Sequence, residues 1–133
     1  MEMKASVLIV DDEKVICDGL ERLLSGEYTV YKALNGSLAL EVLREHSGID
    51  VILCDIMMPV MDGIELIEKA RSVRKDVIII AITGLYSGEK ICEAIEKGAD
   101  RYLLKPLDIS QLESTIKNLL ENRSALKGNV SSR

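Results

Sequence analysis

Five short apolar runs alternate along the chain with longer segments of helical periodicity, and this alternation constrains the fold more than any other feature. The runs are rich in Val, Ile and Leu, a composition typical of strands that are buried on both faces of a sheet. They cover residues 7–10, 28–33, 51–54, 77–82 and 101–104. Repeated β-α units predict an α/β fold with a doubly wound parallel sheet, helices on both faces and a site at the carboxyl ends of the strands.

The segments between the runs are amphipathic and carry recognisable helix ends. The buried stripe of the first helix is expected to contain Val15, Ile16, Leu20, Leu23 and Leu24. Val73 belongs to the expected buried face of the third helix. We expect Ser37 to cap the second helix, Gly98 to end the fourth and Asp108 to cap the fifth.

The length of 133 residues, with 47% hydrophobic and 29% charged residues, fits one globular domain that needs neither disulfides nor a structural metal. We assign residues 1–122 to this domain. Residues 123–133, rich in Ser, Gly and Asn, are expected to form a flexible tail or the start of a linker. Cys17, Cys54 and Cys92 lie in apolar segments without metal-ligand spacing, so we expect reduced core thiols and a cytoplasmic location.

The charge and hydropathy patterns exclude several classes of partner. A net charge of −5 with no basic stripe argues against direct nucleic-acid binding by this segment. The longest apolar run, residues 77–82, falls far short of the roughly 20 residues that cross a bilayer. No apolar signal segment precedes the first strand. We therefore expect a soluble, cytoplasmic protein that does not bind membranes.

Polar side chains follow four of the five predicted strands at the points where those strands end. Asp11 and Asp12 follow the first strand, Asp55 the third, Thr83 ends the fourth and Lys105 follows the fifth. Two carboxylates about 4 Å apart repel by roughly 4 kcal/mol at an effective dielectric constant near 20, so three of them require a cation. Oxygen ligands favour Mg²⁺ or Mn²⁺ over zinc. A carboxylate beside such a cation and an ammonium is a nucleophile toward phosphoryl donors.

Together with Asp55-Ile-Met-Met-Pro59, Met61-Asp62-Gly63, Thr83-Gly84 and Lys105-Pro106, these residues resemble the receiver domain of bacterial two-component response regulators, similar to the chemotaxis regulators. The resemblance covers about residues 5 to 122. It implies a flavodoxin-like fold with five helices and strand order 2-1-3-4-5. It also implies a signalling phosphoacceptor that assists only its own phosphorylation and dephosphorylation and is otherwise not an enzyme.

The resemblance also implies roles for individual residues. Asp55 would be the phosphoacceptor, fed by a histidine kinase or phosphotransfer protein. Asp11, Asp12 and Asp55, with the backbone carbonyl of Met57, would bind Mg²⁺, with Mn²⁺ as the alternative metal. The phosphoryl group would be contacted by Lys105 and Thr83.

The remaining implied roles concern the signal rather than the metal. Thr83 and Tyr102 would form the switch, and the Lys105–Pro106 peptide bond would be cis. The switch would change the face made by the fourth helix, fifth strand and fifth helix, which controls an unknown output domain or partner. Dimerisation upon phosphorylation is a further expectation. Met57 and Leu85, both apolar, flank the approach of a hydrolytic water, which predicts slow loss of the phosphoryl group.

Plainer interpretations stand beside these. Asp62-Gly63 is a turn signal that would shape its loop and start the third helix, Met57, Met58 and Met61 would line a loop surface, and His46 would end the second helix without catalytic work. Tyr102 could be a core residue of the fifth strand. At the level of the domain, a degenerate receiver acting as a scaffold and an aspartyl-phosphate phosphatase are the alternatives. The phosphatase reading lacks its second aspartate, because Met57 stands two residues after Asp55.

Overall fold

The structure is a computed structural model that describes residues 4–58, 61–84 and 88–131, with side chains described as far as residue 124. The elements follow one another in β-α order. They are β1 Ser6–Val10, α1 Lys14–Leu24, β2 Thr29–Ala33, α2 Gly36–Glu45, β3 Ile49–Asp55, α3 Gly63–Val73, β4 Ile78–Thr83, α4 Gly88–Lys97, β5 Arg101–Leu104 and α5 Ile109–Ser131. No helix in this described part of the chain is both long and apolar enough to cross a membrane.

The five strands form one parallel sheet in the order β2-β1-β3-β4-β5. The predicted flavodoxin-like topology is confirmed. The order reverses beside β1, whose neighbours are β2 and β3, and this is where open α/β sheets form their crevices.

The core consists of one apolar layer on each face of the sheet. Alternate residues of the strands point to opposite faces, so that Leu8 and Val10 join one layer while Val7 and Ile9 join the other. The first layer is covered by α2, α3 and α4, and the second by α1 and α5. Because the strands are packed on both faces, they appear in the sequence as continuous apolar runs.

Side-chain caps begin three of the helices. Asn35 accepts a hydrogen bond from the Leu38 amide, so Asn35 caps α2 and the prediction of Ser37 was wrong by two residues. The Asp62 carboxylate accepts from the Glu65 amide at 2.9 Å, which confirms Asp62 as the start signal of α3. Asp108 accepts from the Gln111 amide at 3.2 Å and caps α5 as predicted.

The predicted end of α4 is also found. Gly98 follows its last residue with a φ of 128°, a left-handed conformation that favours glycine.

Several residues expected in the core are exposed. In α1, Cys17, Leu20 and Leu24 are buried, but Val15 is 82% and Leu23 53% exposed. A helix on a sheet buries one stripe, and α1 carries more apolar residues than one stripe can hold. The same limit leaves Val73 of α3 and Cys92 of α4 exposed, so the core assignments of both were wrong.

Two methionines depart from expectation in the opposite direction. Met58 and Met61 are buried in the layer under α2 and α3, whereas Met57 is exposed as predicted. The loop after β3 folds inward, and Met61 packs against the first residue of α2, Gly36. The loop-surface assignment was therefore wrong for two of the three.

The last helix continues beyond the point where its apolar periodicity fades. α5 runs to Ser131, past residue 122, where we predicted a flexible tail. Arg123 lies within this continuation and is partly buried against the body of the domain. The use of residues 123–133 as a linker stays a prediction.

Candidate functional site

The carboxyl edge of the sheet gathers the predicted polar residues. Asp11 and Asp12 directly follow β1, Asp55 is the last residue of β3, Thr83 is the last residue of β4, and Lys105 directly follows β5. Asp11, Asp55 and Thr83 are buried, while Asp12 is exposed at the mouth of the site. Parallel strands bring all of their carboxyl ends to one edge, which is why residues far apart in sequence meet here.

Three carboxylates meet closely enough to share one cation. Asp11, Asp12 and Asp55 each offer an oxygen, and these oxygens lie within 4.8 Å of one another. Burial raises the pKa of Asp11, and the hydrogen bond from the Glu13 amide and the charge of Lys105 offset this only in part. An all-oxygen donor set with surplus negative charge fits a hard divalent cation. The residues present therefore suit Mg²⁺ or Mn²⁺.

Lys105 supplies the positive charge of the site. Its Nζ lies 3.0 Å from Oδ2 of Asp55 and 3.5 Å from Oδ2 of Asp11. Burial opposes the charge of Lys105, but the hydrogen bond and charge of Asp55 and the charge of Asp11 outweigh it, so its pKa is raised. The Lys105–Pro106 peptide bond is cis. One ammonium against three carboxylates leaves two negative charges, which one divalent cation would neutralise.

Backbone amides hold the two buried carboxylates in place. The Asp55 Oδ1 atom accepts from the Met57 amide at 2.9 Å, and the Asp11 Oδ1 atom accepts from the Glu13 amide at 2.9 Å. Each carboxylate thus keeps one oxygen on the backbone and turns the other toward Lys105. The Met57 carbonyl as a metal ligand stays a prediction. These amide anchors were not predicted, although a turn directly after an acidic residue is a signal that could have indicated them.

The predicted switch residues occupy different environments. Thr83 is 2% exposed, and its backbone carbonyl accepts from the Lys105 amide at 2.9 Å, which ties the end of β4 to the start of the β5–α5 loop. Tyr102 is 47% exposed on β5, so it is not a core residue, and that alternative was wrong. Pro59 of the predicted motif and Leu85 of the hydrolysis prediction lie outside the described residues.

An apolar groove beside the site was also missed. It lies between α1 and the β5–α5 loop and has a volume of about 320 Å³. Its lining consists of Val15, Ile16, Gly19, Leu20, Leu23, Lys105, Pro106 and Leu107. The excess of apolar residues in α1 over a single stripe was the available signal. The groove adjoins the site because Lys105 belongs to both.

Comparison with protein families gives one match that spans most of the chain. The family described as "Response regulator receiver domain" matches residues 7–117. These residues run from β1 into α5 and include every site residue described above.

Curated relatives are considerably longer than this chain. It is 38% identical over 118 residues to "Transcriptional regulatory protein ZraR" of Klebsiella oxytoca, an alignment that covers 88% of this chain and 26% of that protein. It is 34% identical over 130 residues to "Histidine kinase P4" of Formosa agariphila, covering 96% of this chain and 9% of that protein. The chain thus spans about a quarter or less of these two relatives.

Solved structures of similar size share the fold. A CheY-like response regulator receiver domain protein from Methanospirillum hungatei superposes with a TM-score of 0.88 at 32% identity, over 92% of this chain and 98% of that one. The chemotaxis protein CheY4 of Vibrio cholerae gives a TM-score of 0.82 at 33% identity, over 88% of this chain and 99% of that one.

Proposed function

Because the chain belongs to the response regulator receiver domain family, we propose that its Asp55 accepts a phosphoryl group from a phosphohistidine of a kinase or phosphotransfer protein. The observation that carries this proposal is the geometry around Asp55, whose carboxylate lies 3.0 Å from the Lys105 ammonium and within 4.8 Å of the oxygens of Asp11 and Asp12. The domain is a signalling phosphoacceptor that takes part in its own phosphorylation and dephosphorylation and has no other catalytic activity.

In the transfer, a carboxylate oxygen of Asp55 bonds to phosphorus while the bond from phosphorus to the donor's histidine nitrogen breaks. The Met57 amide holds one oxygen of the carboxylate and so orients it toward the donor. Lys105 stabilises the negative charge that builds on the transferred oxygens. Asp11, Asp12, Asp55 and the Met57 carbonyl would hold Mg²⁺ or Mn²⁺, and the bound cation would further neutralise that charge.

The signal leaves the site through a local rearrangement. A phosphoryl group adds about 1.5 to 2 negative charges and new acceptor oxygens. Thr83 then turns its hydroxyl toward the phosphoryl group, and Tyr102 moves from its exposed position into the space that opens. The face made by α4, β5 and α5 changes shape as a two-state element. If Tyr102→Ala left the phosphorylation-dependent changes in hydrogen exchange of α4 as they are in the wild type, this coupling would be wrong.

The switched face controls an output domain or partner protein, and dimerisation upon phosphorylation is one form that this control can take. The regulators and kinases among the relatives support such an arrangement. We place the domain in the cytoplasm, where histidine kinases deliver their phosphoryl groups. We do not expect this segment to bind nucleic acid or membranes directly, because its net charge of −5 opposes contact with their phosphate groups.

Two other functions have less support. A scaffold that no longer accepts phosphate would have no need to keep three carboxylates and an ammonium together at one edge. A phosphatase of the kind that forms an aspartyl phosphate would need a second aspartate two residues after Asp55, and that position is Met57.

The phosphoryl group should be lost slowly. Met57 is apolar and 46% exposed beside Asp55, so it offers no hydrogen bond from its side chain to orient an attacking water. Leu85 is also apolar by residue type. We expect a lifetime of minutes or longer for the isolated phosphorylated domain, measured as release of inorganic phosphate. Release within seconds would contradict this prediction.

The central test is phosphorylation by a small donor. The wild-type chain, incubated with Mg²⁺ and acetyl phosphate, should gain the mass of one phosphoryl group by intact mass spectrometry. Asp55→Asn should gain none. Asp62→Asn is the matched control, because Asp62 is a nearby carboxylate that caps α3, and asparagine also serves as a cap. An unchanged mass in the wild type, or an equal gain in Asp55→Asn, would refute the site.

A further inference from the structure

The first residue of α3 lies against the main chain of the proposed phosphoacceptor. A Cβ atom added at Gly63 would lie 2.4 Å from the carbonyl oxygen of Asp55 and 2.4 Å from the Cα atom of Ile56. Both are backbone atoms at the end of β3, so neither can move aside as the end of a side chain can. Gly63 itself has an ordinary helical backbone. Its glycine is therefore needed for close approach rather than for an unusual conformation.

The other described glycines differ from Gly63 in this respect. A Cβ atom at Gly36 would meet the flexible side chain of Met61, and one at Gly98 the side chain of Arg71. Nothing lies within 4 Å of a Cβ built at Gly19, Gly26, Gly48 or Gly88. Within the described part of the chain, Gly63 alone makes room for the main chain of another element.

Hydrogen bonds join the same two segments. The Gly63 amide donates to the Ile56 carbonyl at 3.1 Å. The buried thiol of Cys54 lies 3.5 Å from the Asp55 carbonyl oxygen and 3.8 Å from the Gly63 carbonyl oxygen, where its S–H can donate to either. The Ile56 amide donates to the Ile82 carbonyl at 3.0 Å, which fixes the peptide after Asp55 to β4.

We propose that Gly63 is a positioning residue for Asp55, and that Cys54 assists it. The Asp55 carboxylate takes its orientation from the Met57 amide at 2.9 Å, and that amide belongs to the backbone that rests on Gly63. A displaced peptide after Asp55 would turn the carboxylate away from Lys105, which lies 3.0 Å from its other oxygen. This inference rests on the proposed function, since it concerns the reactivity of Asp55 as a phosphoacceptor.

The test compares Gly63→Ala with Gly48→Ala, a glycine replacement that meets no atom within 4 Å. Intact mass spectrometry follows phosphorylation by acetyl phosphate at saturating Mg²⁺ and yields a rate constant and a final amplitude. A misplacement of about 1 Å at a reacting group can slow a reaction by roughly 100-fold, so we expect Gly63→Ala to lower the rate constant at saturating donor by at least about 10-fold. Gly48→Ala should stay within about twofold of the wild type.

A separate measurement of folding distinguishes positioning from stability. Circular dichroism under the same conditions gives the folded fraction of each variant, whereas a displaced Asp55 lowers the rate constant of a fully folded protein. A rate constant for Gly63→Ala equal to that of Gly48→Ala would overturn the inference while leaving the proposed function intact. Failure of the wild type to gain a phosphoryl group would instead overturn the proposed function, and this inference with it.

If Gly63→Ala does not fold, two variants of Cys54 test whether the contacts to the Asp55 backbone position its carboxylate. Cys54→Ala removes the thiol donor and should slow phosphorylation about threefold, as expected for loss of a weak hydrogen bond. Cys54→Ser keeps a donor and should restore most of the rate. Cys92→Ala, at an exposed thiol, is the control. Equal rate constants for Cys54→Ala and Cys92→Ala would overturn the inference.

Discussion

At the scale of single residues, Asp11 carries a charge that burial makes unfavourable. Its side chain is 5% exposed, and its pKa is raised by burial despite the Glu13 amide and Lys105. A group whose pKa is higher in the folded than in the unfolded state stabilises the fold below those pKa values, and this stabilisation is lost as the pH rises through them. At neutral pH and without a divalent cation, Asp11 should therefore weaken the fold.

We predict that Asp11→Asn raises the free energy of unfolding by about 1 kcal/mol at pH 7.5 in EDTA, because it removes the buried charge. Its amide oxygen can still accept from the Glu13 amide. Urea denaturation at pH 7.5 and at pH 4 gives the comparison, and the difference from the wild type should shrink at the lower pH.

Asp18 also contributes to the pH dependence of stability, but it does not affect this comparison. Its pKa is lowered to about 2 by hydrogen bonds from Lys14 and Lys32, so its contribution has the opposite sign. It is present in both proteins and cancels in the difference between them. A variant less stable than the wild type at both pH values would show that the Asp11 charge does not oppose folding. Adding Mg²⁺ should stabilise the wild type more than Asp11→Asn.

At the scale of elements, α1 has one apolar face that is buried and another that is exposed. Cys17, Leu20 and Leu24 face the sheet, whereas Val15 and Leu23 face solvent along the groove beside Lys105. Under the proposed function, a protein that delivers a phosphoryl group to Asp55 would have to approach this end of the domain. We therefore expect its contacts to include the exposed apolar residues of α1.

Leu23→Ser should slow phosphotransfer from a histidine kinase about 10-fold, the effect of losing about 1.4 kcal/mol at one of the few interface side chains that dominate binding. Its phosphorylation by acetyl phosphate should be unchanged, because a small donor needs no groove. Val73→Ser is the matched control, an exposed apolar residue on α3 at the opposite face of the sheet. The measurement uses whichever kinase of a panel phosphorylates the wild type fastest. Equal slowing with both donors would argue against a docking role.

At the scale of the whole molecule, the end of the sheet opposite the site is held by α5. One guanidinium nitrogen of Arg123 donates to the Asp50 carboxylate at 2.8 Å, and the other lies near the Asp50 and Asp76 carbonyls at 3.4 and 3.3 Å. The second oxygen of Asp50 accepts from the Ser6 amide at 2.9 Å. Arg123 thus ties α5 to the start of β3 and to the segment before β4, and the Asp50 carboxylate extends this link to the start of β1.

The hydrogen bonds of Arg123 test whether the folded domain ends at residue 122, as the sequence analysis predicted. A chain that ends at residue 122 lacks Arg123 and leaves the partly buried Asp50 carboxylate without its cation. We expect its free energy of unfolding to be about 1–3 kcal/mol lower than that of a chain that ends at residue 124, as for the loss of other partly buried hydrogen bonds between charged groups. Chemical denaturation of the two truncated chains provides the measurement. Equal free energies of unfolding would show that the hydrogen bonds of Arg123 do not stabilise the fold and that the domain can end at residue 122.

The sequence by itself determined the β-α order, the parallel sheet and the group of residues that meet at its carboxyl edge. Short-range patterns carry this information, since apolar runs define the strands and polar residues at their ends define the site. Caps such as Asp62 and Asp108 were likewise readable, because a cap bonds to a residue only three positions away.

The tertiary structure alone decided which surfaces face each other. Lys105 and Asp55 are 50 residues apart, and Arg123 and Asp50 are 73 apart, so their hydrogen bonds depend on how complete elements pack. The approach of Gly63 to Asp55 and the exposure of Val15 have the same origin. Local periodicity indicates that a helix will be buried on one side, but only the packing angle and depth of that helix select the side chains that touch the sheet.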